Sequence, residues 1–320
     1  MGKPACSEKE FIDLFRQLGP TKAAQSLGIS VRNVHERRRR IETNQQIQLE
    51  SPTAAGGVPK SKNIVYASSY PKRLPIQIDN GVAIIGSDAH YWPDLVSTAH
   101  RGFVKLIGEL KPKLVCLNGD VFDGARISRH ARIGWQQTPT VKQEIEAVEQ
   151  RLTEIEQASQ NATRIWTIGN HCSRIENYLS ANTPEMEAVK GFTLKDQFPK
   201  WDHCVSVWVN DDVVIKHRFK GGIHAAHNNT LNAGKTIVTG HLHSLKVTPF
   251  DDYNGTRYGV DTGTLMDPYG PQAEYTEDNP LNHRSGFVVL TFHKGILLHP
   301  EIVKVIGEDA IEFRGQVINL

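Results

Sequence analysis

Nine side chains with metal-ligand or proton-transfer chemistry fall in five short blocks of this 320-residue chain. In order they are Asp88-Ala89-His90, Gly119-Asp120-Val121-Phe122-Asp123, Gly169-Asn170-His171, a lone His217, and Gly240-His241-Leu242-His243. Carboxylate, imidazole and amide oxygen in one set suit borderline divalent cations, two of them held close together. Such a pair of ions is the equipment of metal-assisted hydrolysis.

The elements ahead of the blocks have to bring them together. Val82-Ala83-Ile84-Ile85-Gly86, Leu114-Val115-Cys116-Leu117-Asn118 and Arg164-Ile165-Trp166-Thr167-Ile168 read as short buried strands ending just before the first three blocks. Val213-Val214-Ile215-Lys216 leads into His217, and Thr236-Ile237-Val238-Thr239 into His241 and His243. Ligands collect at the carboxyl ends of strands in open α/β sheets. The stretch Val141 to Ala158 has helical periodicity and fits a crossover on the face of the sheet. The alternation in Gly286-Phe287-Val288-Val289-Leu290-Thr291-Phe292 reads as a closing strand of a second sheet.

The blocks DxH, GDxxD, GNH, H and GHxH, in this order from about Val82 to Thr264, resemble the calcineurin-like metallophosphoesterase superfamily. The resemblance implies an α/β fold of the αββα sandwich type, two mixed β-sheets flanked by helices. It implies that Asp88, His90 and His243 hold one divalent metal ion, that Asn170, His217 and His241 hold a second, and that Asp120 bridges them. Manganese is the expected metal, with iron, zinc and nickel as alternatives. His171 would face the leaving-group oxygen as general acid, oriented by Asp123; the alternative is a spectator beside the ligands.

The chain departs from the family pattern in two places. His217 ends a strand but is flanked by Lys216 and Arg218, and His224 in Gly222-Ile223-His224 is its rival. Cys172 follows His171 where the family usually has an acid; simple packing is the favoured reading of that thiol. Arg126, Arg129 and His130, within the run Arg126 to Arg132 after the second block, are candidate phosphate clamps, the alternative being a solvated basic loop. His203, Cys204, His283, His293 and His299 lack matching partners and read as structural or exposed.

Charge is unevenly spread. Residues 1–62 carry 11 Lys and Arg against 6 Asp and Glu, while the rest of the chain is net acidic by three. Apolar residues Phe11, Ile12, Leu14, Phe15 and Leu18 recur at helical spacing, Gly19-Pro20 breaks the pattern, and Lys22 to Leu27 forms a second short helix. Gly28-Ile29-Ser30 makes a turn, with Ser30 as N-cap of a third helix to about Arg40. Ala24, Gly28 and Val34 are spaced as in the helix-turn-helix of DNA-binding proteins, which Thr21 to Arg40 resembles. Ser30, Arg32, Asn33, Arg37, Arg38, Arg39 and Arg40 are then the candidate DNA contacts, near residues meeting bases and later arginines meeting phosphates. The alternative is a solvated three-helix cap or a protein-docking module.

Residues 44–74, with Ser51-Pro52-Thr53-Ala54-Ala55-Gly56-Gly57-Val58-Pro59 at their centre, have linker composition. They would separate a helix-turn-helix domain (1–43) from a metallophosphoesterase domain (75–320). No apolar run approaches the ~20 residues of a membrane span, no secretory signal is visible, and the four cysteines form no CxxC pair. A cytoplasmic setting and a nucleic-acid partner, DNA, are expected; the small helical domain ahead of this catalytic pattern looks like proteins of phages and prophages.

The expected activity is hydrolysis of phosphodiesters in nucleic acid. Gly124 and Cys172 stand where serine/threonine phosphatases of the superfamily carry Arg and Glu, which counts against that branch. A phosphomonoesterase and a DNA-binding regulator with an incidental phosphoesterase fold are the alternatives.

Overall fold

In the computed structural model the described residues are 6–45, 47, 49, 70–130, 134–277, 279 and 281–320, less the side chain of residue 275. The linker run Ser51 to Pro59 and Ala131 and Arg132 of the basic loop lie outside them. The chain divides into two units, Met1–Tyr66 and Ala67–Leu320.

In the first unit a capping box starts helix α1 (Glu8–Leu27): the Ser7 hydroxyl accepts from the Glu10 amide at 3.2 Å, and the Glu10 carboxylate accepts from the Ser7 amide at 2.8 Å. The expected break falls at Gly19, whose φ of 72° interrupts the helix, and Gly28 ends it in the left-handed conformation. Ser30 caps α2 (Val31–Gln45), its hydroxyl accepting from the Asn33 amide at 3.1 Å. Phe11, Phe15, Ala24, Val34, Ile41 and Leu49 form the buried core of this unit.

The second unit runs β1 (Leu74–Ile76), β2 (Gly81–Gly86), α3 (Thr98–Leu110), β3 (Leu114–Leu117), α4 (Val141–Ala158), β4 (Thr163–Thr167), α5 (Arg174–Asn182), α6 (Leu194–Gln197), β5 (Asp202–Cys204), β6 (Val207–Val209) and β7 (Val213–Ile215). It continues with α7 (Ala225–Ala233), β8 (Thr236–Thr239), β9 (Lys246–Asp252), β10 (Gly255–Asp261), β11 (Gly286–His293), β12 (Ile296–Leu297), β13 (Glu301–Gly307), β14 (Ala310–Phe313) and β15 (Gln316–Asn319). Among the described residues these strands make two mixed sheets. One has six strands in the order β1-β6-β7-β8-β10-β9; the other has nine, in the order β15-β14-β13-β11-β2-β3-β4-β5, with β12 on β11.

Strands β2 to β5 are parallel; β2, β3 and β4, joined through α3 and α4, bury apolar residues on both faces and need cover on both. Ala83 and Ile85 of β2 face the other sheet, packing with Val213, Ile215, Val238 and Val260. Ile84, one residue out of step, faces the helices with Phe103, Leu106, Val148 and Leu152. Helix α7 packs on β8, β9 and β10, and Gly259 of β10 has no room for a Cβ against the Ala226 carbonyl.

One expectation is corrected. The alternating strand at 286–293 does not close a second sheet; β11 lies inside the nine-stranded sheet, antiparallel to β2, with Val288 opposite Ile85. Its alternation fits either sheet, and only the long-range pairing decides between them. No described helix is long and apolar enough to cross a membrane.

Candidate metal centre

The blocks sit where parallel strands end. Asp88 and His90 follow β2, Asp120 and Asp123 follow β3, and Asn170 and His171 follow β4, all in the nine-stranded sheet; His217 follows β7 and His241 and His243 follow β8, in the other. Five of these residues hold left-handed backbone conformations: φ is 51° at Asp88, 41° at His90, 49° at Asp120, 71° at His241 and 56° at His243. Asp and His tolerate that region better than most side chains, yet each such residue costs of order 1 kcal/mol or more.

Loop-to-loop hydrogen bonds hold the strain in place. The Asp88 amide donates to Gly119 O and the His90 amide to Asp120 O, both at 3.0 Å, and the Gly240 amide donates to His217 O at 2.9 Å. The glycines let the loops touch: a Cβ on Gly119, itself at φ 84°, would strike the His217 ring, and one on Gly169 would strike the Asp120 carboxylate.

Three groups of donors result among the described residues, of which His90, Asp123 and His171 are joined by hydrogen bonds to Asp123. In the other two, Asp88, His90 and His243 bring one ligand atom each within 4.8 Å of one another, and so do Asp120, His217 and His241. These two groups adjoin, His217 Nε2 lying 3.9 Å from Asp88 Oδ1. Asp88, Asp120 and His217 are almost wholly buried. Asn170 does not hydrogen-bond through its buried Oδ1, and neither Asp88 Oδ1 nor His217 Nε2 has a well-aligned hydrogen-bond partner.

His217 states the electrostatic demand most directly. Its Nδ1 lies 2.8 Å from Asn118 O, and a carbonyl only accepts, so Nδ1 carries the proton. Nε2 of the neutral ring then points a lone pair at Asp120 Oδ2, 2.9 Å away. Two lone-pair atoms at that distance repel unless a cation lies among them, either a proton or a metal ion. Burial pulls the His217 pKa down, but the Asp120 and Asp88 charges outweigh it and push it up to about 9. Burial likewise opposes ionisation of Asp120, which the same imidazole holds down to about 2, and of Asp88, held well below the usual range by His243 and His217. These residues fit a divalent cation pair: anionic oxygens, imidazole nitrogens and an amide oxygen, buried except for the half-buried Asn170 and the exposed His241 at the cleft.

Asp123 serves two histidines. Its Oδ1 lies 2.7 Å from His90 Nδ1 and 2.8 Å from His171 Nδ1. The His90 contact leaves Nε2 as the donor toward the first group, the outer-sphere arrangement that orients metal-bound imidazoles. Burial opposes ionisation of Asp123, yet its hydrogen bonds to His171 and His90 keep the carboxyl far below its usual range.

Three further residues belong to the site that the motif blocks did not indicate. Arg174, the first residue of α5, donates from Nη1 to Asp123 O at 2.9 Å and sets Nη2 3.2 Å from His171 Nε2. Its signal lay in its spacing, three residues past His171 where a helix begins. Glu144 reaches from α4 to accept the amides of Gly124 at 2.6 Å and Ala125 at 3.1 Å; burial and then Asp123 push its pKa up to about 8. His283 sets Nδ1 3.3 Å from His243 Nδ1, so the reading of it as partnerless is corrected; burial and then His243 pull its pKa down to about 4. Nothing local to residue 283 signals that contact, which depends on how the chain returns after β10.

The two donor groups floor a cleft of about 580 Å³ whose walls include Trp92, Gln136, Arg174, Met266, Gln272 and His283. His130 lines it, whereas Arg126, in the single helical turn Ala125–Ile127, and Arg129 are exposed and do not. Among the described residues the guanidinium in the cleft is that of Arg174. His224 is exposed and precedes α7, away from both groups, while His217 is buried between them. Cys172 packs in the helix-side core, its sulfur accepting from Trp166 Nε1 at 3.3 Å, and burial pushes its pKa up to about 11.

In the first unit the candidate nucleic-acid contacts divide. Ser30 is used as a cap. Arg37 donates to Cys6 O at 2.5 Å and lies over Phe11; Arg38 pairs with Glu42 at 2.9 Å and lies over Phe15. Arg32 pairs with Glu36 at 3.0 Å, and Asn33, Arg39 and Arg40 are exposed.

No protein-family model matches the chain, and no curated protein matches it in sequence. Among solved structures, the phosphoesterase YfcE from E. coli is similar over 68% of this chain and 97% of its own, at 12% identity and a TM-score of 0.33. The nuclease MPE of Pseudomonas putida is similar over 68% and 86%, at 14% and 0.32, and a dimetal phosphatase from Danio rerio over 76% and 99%, at 9% and 0.33. Likeness at this level carries no argument, so function is read from the chain's own residues.

Proposed function

We propose that this protein is a metal-dependent phosphoesterase that hydrolyses phosphodiesters, those of nucleic acid in particular. The observation that carries the reading is the juxtaposition under one cleft of two groups of ligand atoms that adjoin at His217, whose Nε2 lies 2.9 Å from Asp120 Oδ2 and 3.9 Å from Asp88 Oδ1. Asp88, His90 and His243 would hold one divalent ion; Asn170, His217 and His241 would hold another, with Asp120 between them. When bound, two such ions supply an acidified water and Lewis acidity toward the phosphoryl oxygens.

The chain's own residues complete the chemistry. Asp123 fixes the His171 ring through Nδ1, which aims Nε2 at the cleft as the position of the proton given to the leaving group. Nε2 now accepts from Arg174, so a proton can sit there only when the guanidinium turns away. A phosphoryl oxygen entering the cleft is a better, anionic acceptor for Arg174, so its arrival frees His171. Glu144 holds the Gly124 and Ala125 amides and with them the loop that carries Asp123. The first unit, with Arg39 and Arg40 free on its second helix, would raise the local concentration of DNA around the cleft.

Turnover of bis-p-nitrophenyl phosphate and p-nitrophenyl phosphate with added Mn²⁺ tests this reading. Diester hydrolysis abolished by EDTA supports it. Monoester turnover alone would move the assignment to a phosphatase, and silence on both despite bound metal would leave a DNA-binding regulator.

A further inference from the structure

Two aromatic side chains in segments that border the cleft stand almost wholly in water: Trp135, next to the cleft-lining Gln136, at 97% exposure, and Tyr269, two residues before the cleft-lining Pro271, at 96%. Large aromatic faces are normally at least partly covered, and leaving two uncovered beside a binding site calls for an occupant. Their segments meet: Gln136 Nε2 donates to Pro271 O at 3.4 Å, and Gln136 and Pro271 both line the cleft. Arg126 and Arg129, exposed and without an ion pair or hydrogen bond among the described residues, alternate with Ala125, Ser128 and His130, which line the cleft, and so form a basic lip along it. The Tyr269 segment carries Asp267, whose Oδ1 accepts from the Tyr269 amide at 3.0 Å, and the exposed Glu274. An anionic backbone is therefore drawn along the Arg126–His130 lip and repelled from the Tyr269 segment, where Tyr269 offers only its ring.

We propose that the substrate is single-stranded nucleic acid, its unpaired bases stacking on Trp135 and Tyr269 while the flanking phosphates follow Arg126 and Arg129; this rests on the phosphodiesterase reading above. A small phosphoester filling the cleft would leave all four side chains idle. A duplex would offer them no base faces, since its bases are already stacked. An acidic peptide would suit the two arginines but not the pair of open aromatic faces. The arrangement, stacking platforms beside a basic track, is one that binds unpaired strands with little sequence preference.

The test uses the metal-loaded full-length chain, labelled twelve-nucleotide oligothymidylate and oligouridylate, the same strands as duplexes, and bis-p-nitrophenyl phosphate. Both side chains are exposed, so Trp135→Ala and Tyr269→Ala leave the core intact. Each should raise KM for the single strands roughly tenfold, with the Phe variants keeping most of the wild-type value. The ratio of kcat/KM for the oligonucleotide to that for the small diester should fall by a similar factor. An unchanged ratio in the double variant, duplex cut as well as single strand, or a phosphopeptide whose hydrolysis depends on Trp135 in place of the oligonucleotide, would overturn the inference and leave the phosphodiesterase reading standing. A wild-type chain inactive on the small diester would overturn that reading, and the inference with it.

Discussion

The cleft and the second helix of the N-terminal unit are both rich in charge, and they spend it differently. On that helix Arg32 pairs with Glu36, Arg38 with Glu42, and Arg37 donates to Cys6 O and covers Phe11, so that much of the basic face is satisfied within the unit and Arg37 Nε is a lone buried nitrogen there without a partner among the described residues. In the cleft, Asp88 Oδ1, Asn170 Oδ1 and His217 Nε2 are buried without aligned partners, and five residues hold costly backbone conformations. Exposed charge with its own counter-charge says little about ligands. Buried polar atoms left open, held there at a cost in strain, mark a place reserved for something else.

The largest effect that would break this contrast is at Asp120. Asp120→Asn removes the charge facing His217 and should lower both metal content and turnover, the latter roughly a thousandfold, read by elemental analysis beside a diester assay. Wild-type turnover would remove Asp120 from the centre. Next, His171→Ala should leave metal content intact and slow esters with poor leaving groups about 10²- to 10³-fold, more than esters with good ones. Equal losses on both would make His171 a spectator.

Smaller effects sharpen the N-terminal side. Arg39→Gln with Arg40→Gln should lower the slope of log affinity for DNA against log salt by about 1.8, with stability unchanged. Arg37→Gln should instead cost about 1 kcal/mol of stability, through the lost Cys6 bond and the uncovered Phe11 ring. The reverse pattern would mean that the packed arginines are the DNA contacts. Least of all is a pH effect at Glu144, whose pKa in the folded chain is about 8 against an ordinary 4.5. The folded state holds this proton more tightly than the unfolded one, so its contribution is complete below the ordinary value and is lost as pH rises through the folded one. The metal-free wild type should thus lose thermal stability relative to Glu144→Gln between about pH 5 and 8; parallel melting curves across that range would show that Glu144 does not titrate there.

Much of this was legible in the sequence because the motif residues lie next to the strands that carry them. Val82–Gly86 announces β2, and Asp88 and His90 follow within four residues. Helix α4 begins at Val141 and ends at Ala158, as its periodicity says, with Thr140 and Gln143 closing a capping box at its start. The rest depends on contacts between residues far apart. Glu144 looks like one more exposed glutamate of an amphipathic helix until the loop after β3 folds onto it. His283 meets His243 across 40 residues, and β11 finds β2 across about 200. Arg126 and Arg129 were candidates by proximity in sequence; they are exposed beside the cleft wall and do not line it, and among the described residues the guanidinium inside is that of Arg174.

The most direct test of the central claim is calorimetric titration of the dialysed chain with Mn²⁺, beside the Asp120→Asn variant. Two ions bound per wild-type chain, with both sites weakened together in the variant, is the predicted result. No binding, or a single site indifferent to Asp120, would contradict a paired metal centre.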